Sequence, residues 1–199
     1  MKLHTADDKR TTIVTAALDV FINYGFKKTS MDDIARAAGM SRPALYQTFR
    51  NKTEIFRALS LSMMDTTAKQ ARNAFKGKKP FKERMFDALD LSILSLHRKI
   101  DETAHGAELM GVNEEIAGDI EERWCDSMIE VFTEAISAAE ASGEISLSNL
   151  GVDAKTVGSI VMQAMEGMKA SCLRGNEIEP DVRKLITFVA NALTAGVRG

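Results

Sequence analysis

Ser30 to Phe56, SMDDIARAAGMSRPALYQTFRNKTEIF, reads as two short helices joined by a tight turn, followed by the start of a third. Ser30 precedes Asp33, and Asn51 precedes Glu54, at the interval that lets each pair satisfy orphan amides where a helix begins. Ile34, Ala35 and Ala38 give the first helix a small apolar face. Gly39 then stands where a chain leaving a helix commonly takes a positive φ. Ser41 can cap the next helix, and Pro43 falls in its first turn, where a missing amide hydrogen costs little. Leu45 and Phe49, one helical turn apart, share a buried side.

That register leaves Arg42, Ala44, Gln47 and Thr48 off the buried side, with Pro43 and Tyr46 on its flanks. All lie within the two turns that a recognition helix pushes into a major groove. Arg42 offers a two-pronged donor for guanine, Gln47 can donate to and accept from adenine, and Ala44 or Pro43 can pack on a thymine methyl. Tyr46, Thr48 and Lys52 suit phosphate oxygens. Phosphate contacts orient a protein on DNA while base edges specify the site, so Arg42 and Gln47 carry specificity and Lys52 mainly affinity.

From about Lys9 to Ala68 the chain resembles the TetR family of transcriptional regulators. The resemblance rests on Tyr24-Gly25-Phe26, Thr29-Ser30-Met31-Asp32-Asp33-Ile34-Ala35, Ala38-Gly39, Ser41, and Leu45-Tyr46 leading to Phe49 and Asn51-Lys52. It implies base contacts from Arg42, Pro43, Ala44, Tyr46 and Gln47, and phosphate contacts from Thr29, Ser30, Thr48 and Lys52. Some members place a base-reading side chain where Asp32 stands; an acid there is expected to serve the helix amino end instead. The resemblance further implies an all-α homodimer of about nine helices. A three-helix DNA-binding domain over 1–55 would precede a helical effector-binding and dimerisation domain over 56–199. The implied partners are double-stranded operator DNA with palindromic half-sites, a second copy of the chain and a small-molecule effector.

A chain of 199 residues with 45% hydrophobic content is long enough for one or two modest packed cores. No apolar run approaches the length of a membrane span and the start lacks a signal peptide's apolar core, so a cytoplasmic protein is expected. Cys125 and Cys172, the only cysteines, suit buried thiols in a reducing compartment. The net charge of −2 argues against coating DNA with the whole surface. Through Ala58, however, ten Lys and Arg face six Asp and Glu, whereas the remainder holds sixteen against twenty-two, a weakly basic head on an acidic body.

Beyond the motif, helical periodicity runs through Asp8–Tyr24, Asn51–Phe75, a helix opened by Pro80, a Gly-punctuated stretch up to Gly118, Ile120–Gly143, a helix capped by Asp153 and closed by Gly175, and a last one begun by Pro180. The two late helices carry Val157, Val161, Ala164, Met168, Val182, Leu185, Ile186, Val189 and Leu193, with small residues Gly158 and Gly167, and are expected to pair with their copies as a four-helix interface. An effector cavity between the middle helices would draw on Met63, Met85, His97, His105, Met110, Trp124, Met128, Met165 and Met168, with Glu166 as a polar contact.

The leading reading is a homodimeric repressor released from its operator by a small molecule. Catalysis finds no support: the chain lacks a Gly-rich phosphate loop, a nucleophile elbow, paired-cysteine zinc spacing and a His-Glu-x-x-His helix, and no cofactor is implied. A metal held by His97 and His105 with Glu102 or Glu108 is a weaker possibility. A helical protein-interaction module without sequence-specific DNA binding is the alternative of another class.

Overall fold

The computed structural model describes residues 6–96, 98, 102–148, 150–172 and 178–195. Among them are eight α-helices and no strand: α1 (Ala6–Tyr24), α2 (Met31–Ala37), α3 (Arg42–Tyr46), α4 (Lys52–Phe75), α5 (Phe81–Leu89), α6 (Gly106–Ala141), α7 (Ala154–Cys172) and α8 (Ile178–Thr194). The all-α class is as expected, and the break anticipated around Gly111 and Gly118 is a kink within one helix, at Ala117. Among the described residues no helix is long and apolar enough to cross a membrane. Gly175, the expected end of the Asp153-capped helix, lies outside the described residues.

Backbone packing divides the chain into two units, one holding residues up to Asp65 together with the stretch ending at Glu122, the other holding Thr66–Leu96 and everything from Arg123 onward. The first compact unit therefore extends beyond residue 55. The reason lies in the first core, which takes Ile55, Phe56 and Leu59 from α4, and Leu109 and Val112 from α6.

Within the first unit, Ile13, Ala17 and Phe21 sit on one stripe of α1 and meet Ile34 and Ala35 of α2 with Leu45 and Phe49. Phe21, Phe26 and Phe56 form a triad with ring centroids 5.3 to 5.6 Å apart. Gly25 ends α1 at φ 78°, a conformation side-chained residues adopt at a cost. A Cβ there would also collide with the Glu108 carboxylate and press on the His105 ring. At the kink of α6, Ala117 takes φ −136° and ψ 15°. The Ile116 carbonyl accepts from Arg57 Nη1 at 2.6 Å, and the same guanidinium pairs with Asp119 at 2.6 and 2.8 Å.

In the second unit Phe81, Met85, Leu89 and Ile93 point inward at the spacing read from sequence. Asp90–Leu94 is a single π-helical turn in which buried Ser92 donates to the Ala88 carbonyl at 2.6 Å. Phe75, Phe81 and Phe132 cluster at 5.1 and 6.0 Å. Arg84 donates to the Phe75 carbonyl at 2.8 Å and pairs with Glu144, which also accepts from the Phe81 amide. The Lys76–Pro80 turn is thus folded around one part-buried ion pair, its own lysines exposed.

Gly25→Ala should destabilise the protein by more than Gly39→Ala, whose added Cβ meets nothing within 4 Å and pays only for φ 64°, about 1 kcal/mol. Urea unfolding of both variants checks this. Equal losses would show that Glu108 gives way without cost.

Candidate nucleic-acid interface

Ser30 and Asp33 close a reciprocal box on α2. The Ser30 hydroxyl accepts from the Asp33 amide at 3.2 Å and the Asp33 carboxylate accepts from the Ser30 amide at 3.0 Å. Hydrogen bonds from the Ser30 hydroxyl and amide hold the Asp33 carboxyl below its usual range. A lowered carboxyl means that the contribution of this cap is complete above the ordinary carboxylate pKa and fades as pH falls through the lowered one. Ala38 hydrogen-bonds back to Ile34, and Gly39 turns the chain. Ser41 Oγ then accepts from the Ala44 amide at 3.3 Å, with Pro43 in the first turn of α3.

The helix is shorter than the Arg42–Phe49 rod expected from sequence. It ends at Tyr46, and Gln47, Thr48 and Phe49 follow in a turn whose amides return to the Pro43 and Leu45 carbonyls at 2.9 to 3.1 Å. Leu45 is fully buried and Phe49 nearly so. Arg42, Pro43, Tyr46 and Gln47 are exposed on the opposite edge, with Ala44 and Thr48 half-buried beside them. All five expected base readers therefore come together on α3 and its cap. Arg42 is additionally placed: Nε lies 3.1 Å from Asp32 Oδ1, Nη1 donates to Oδ2 at 3.3 Å, and the guanidinium sits 5.6 Å from the Tyr46 ring centroid. The hydrogen bond with Tyr46, then the Asp32 charge, push the Arg42 pKa up.

The expected phosphate contacts fare differently. Thr29 is buried and its hydroxyl donates to the Gly25 carbonyl at 2.6 Å. Lys52 Nζ donates to the carbonyls of Phe26, Lys27 and Thr29 at 2.7, 3.1 and 2.9 Å and lies 4.7 Å from the Phe26 ring centroid. An ammonium has three donors, so that of Lys52 is fully engaged in the α1–α2 loop. Neither side chain is available as a phosphate donor without giving up these bonds. Ser30 and Thr48 keep surface exposure, Ser30 while capping α2. Exposed cations that the motif did not single out stand around them: Lys27, Lys28, Arg36 and Arg50. Their signal in the sequence is only their place at the ends of the short helices.

The residues expected to line an effector cavity are divided between the two units. Met63 packs against the first core, and His105 and Met110 belong to the same unit, whereas Met85, Trp124, Met128, Met165, Glu166 and Met168 belong to the second. Met85, Met128 and Met165 are fully buried packing residues, and Trp124 donates from Nε1 to Thr67 at 3.0 Å. His97 lies outside the described residues. An open cleft of about 890 Å³ in the second unit is lined by Thr133, Ser137, Glu140, Leu147, Ser148 and residues 151–156, none of them in the expected set. Among the described residues no group of His, Cys, Asp and Glu is placed to hold a metal ion. Cys125 is half-buried, with Sγ 3.8 Å from Glu166.

The expected interface residues also need correction. Val157, Val161, Val182, Ile186, Val189 and Leu193 are buried in the second unit's own core, and a Cβ on Gly158 would press on the Ile129 carbonyl and Phe132 at 3.2 Å. Ala164, Met168 and Leu185 are half-buried. The outward stripes are Thr156, Ile160, Gln163 and Gly167 on α7 and Asp181, Lys184, Phe188 and Asn191 on α8, with Phe188 75% exposed.

Residues 13–59 match the family of bacterial regulatory proteins called tetR. The likeness to the TetR family is confined to this segment. Over 84 residues the chain is 32% identical to the HTH-type transcriptional activator FasR of Mycolicibacterium smegmatis, covering 42% of this chain and 38% of that one. It is 39% identical over 67 residues to the HTH-type transcriptional regulator TtgR of Pseudomonas putida, covering 34% and 32%. The chain thus spans about two fifths or less of the length of these curated relatives. The fold extends further: the structure of SmeT, repressor of the Stenotrophomonas maltophilia multidrug efflux pump SmeDEF, superposes with a TM-score of 0.67 at 16% identity over 96% of this chain and 93% of that one. A transcriptional regulator of Cytophaga hutchinsonii gives 0.74 at 17% over 96% and 99%.

Lys52→Ala should lower stability by roughly 2 kcal/mol, because it removes charge-assisted hydrogen bonds that close the loop of the TetR-type head. The urea midpoint reads the loss. An unchanged midpoint would mean that the loop holds its shape without the ammonium.

Proposed function

We propose that this chain is a sequence-specific DNA-binding transcriptional regulator, a homodimeric repressor released from its operator by a small-molecule effector. The observation that carries the reading is the split of α3 into a buried edge, Leu45 with Phe49, and an exposed edge holding Arg42, Pro43, Tyr46 and Gln47. The exposed edge carries donors and acceptors suited to base edges, in a TetR-family segment whose charge balance is basic. Residues 1–55 would read DNA in the cytoplasm, and 56–199 would bind the effector and dimerise.

A single short helix reads few base pairs. Two related by a dimer axis can address palindromic half-sites about 34 to 36 Å apart. The surface proposed for pairing is the outward stripe of α7 and α8, centred on Ile160 and Phe188, because the inward stripe is already committed. Effector release is supported by SmeT, which shares the fold and whose complex with triclosan has been solved. Moving an operator-bound population from 99:1 to 1:99 requires an effector to favour one state by about 5.5 kcal/mol.

Selection of bound sequences from random duplexes tests the reading. Enrichment of a palindrome is expected; no enrichment would leave a helical interaction module as the better account. On the selected site Arg42→Ala should cost about 1 to 3 kcal/mol and relax choice at one base pair. Phe188→Glu should shift the protein to monomer in sedimentation while keeping its helicity; a dimer that survives would place the seam elsewhere.

A further inference from the structure

We infer that Asp32 is a positioning residue for base recognition: its carboxylate holds the Arg42 guanidinium toward one base and away from the phosphates. The inference rests on the DNA-reading assignment above. Asp32 has no capping duty, because Ser30 and Asp33 close the amino end of α2 between them. Its carboxylate instead reaches ten residues along the chain to Arg42, 3.1 Å from Nε and 3.3 Å from Nη1. The Tyr46 ring, centred 5.6 Å away, confines the guanidinium from α3.

Both side chains are more than half exposed, and an ion pair that wet contributes little to folding. Its consequence is geometric. An arginine side chain loses rotamer entropy when it is fixed, and a residue already fixed loses less on docking. The charge matters as well. A lone arginine on this edge would be drawn to any phosphate, which carries no sequence information. A carboxylate beside it repels phosphate and leaves base-edge acceptors, above all the O6 and N7 pair of guanine, as the remaining partners. Non-specific affinity is given up for choice.

The test compares wild type, Asp32→Ala, Asp32→Asn, Arg42→Ala and the Asp32→Ala/Arg42→Ala double variant by fluorescence anisotropy. The targets are the selected duplex and its three substitutions at the base pair that Arg42→Ala relaxes. Wild type should prefer its base pair by about tenfold or more. Asp32→Ala should reduce that preference several-fold, strengthen binding to unrelated duplex, and leave the preference at other positions alone. Asp32→Asn, which keeps an acceptor oxygen, should retain the ranking of bases, and the double variant should show no loss of preference beyond Arg42→Ala. An Asp32→Ala protein that binds every duplex more tightly with its base ranking intact would overturn the inference, since the acid would then act only through its field. Loss of preference persisting without Arg42 would overturn it too. A wild type that selects no sequence fails earlier, and then the DNA-reading assignment falls. Circular dichroism melts of each variant show that the comparison is between folded proteins.

Discussion

A helix of five residues has no stability of its own, so α3 exists because Leu45 and Phe49 are gripped by the first core. Complete burial of a leucine or phenylalanine contributes about 1.5 to 3 kcal/mol each, more than one helical turn can supply. Ile13, Ala17 and Phe21 of α1 and Ile55, Phe56 and Leu59 of α4 form the rest of that grip. The angle at which Arg42, Tyr46 and Gln47 face outward is therefore set by residues that never meet solvent. Any substitution that loosens this core changes the reading edge without touching it.

The approach to α2 is fixed by a second device, made of polar groups. The loop from Gly25 to Ser30 is held from one side by Lys52, which takes up three of its carbonyls, and from the other by Glu108, whose carboxylate accepts from the Lys27 amide at 2.8 Å. Gly25 has no side chain because that carboxylate lies where a Cβ would stand. Backbone groups that would otherwise bind water are each paired with a charged partner, which stiffens the loop that leads into the capped start of α2.

The features legible in the sequence are those decided within a few residues. The Ser30–Asp33 box, the Ser41 cap, and Gly25 and Gly39 with positive φ are local agreements between a residue type and a backbone need. Lys52 could have been read more closely: a lysine at the first position of a helix faces the positive end of the dipole, so it must find acceptors elsewhere. The pairing of Arg57 with Asp119 spans 62 residues and leaves no periodic trace. Amphipathic spacing on α7 and α8 shows that one stripe is apolar but not whether that stripe meets its own core or a partner. The inward stripe won because it is continuous, which left Phe188 alone among Asp181, Lys184 and Asn191. The methionines are ambiguous for a similar reason: an adaptable side chain fills a core gap as readily as it lines a cavity.

The kink in α6 and the first half of α4 define each other. The partly buried Ile116 carbonyl stands beside the bend at Ala117, and a buried carbonyl without a partner is costly. Arg57 supplies the partner, and Asp119, just past the bend, neutralises the guanidinium that does so. Displacing Arg57 would leave the bend without its donor. Because Arg57 follows Ile55 and Phe56 on the helix that closes the core beneath α3, the bend and the reading edge draw on the same few turns of α4.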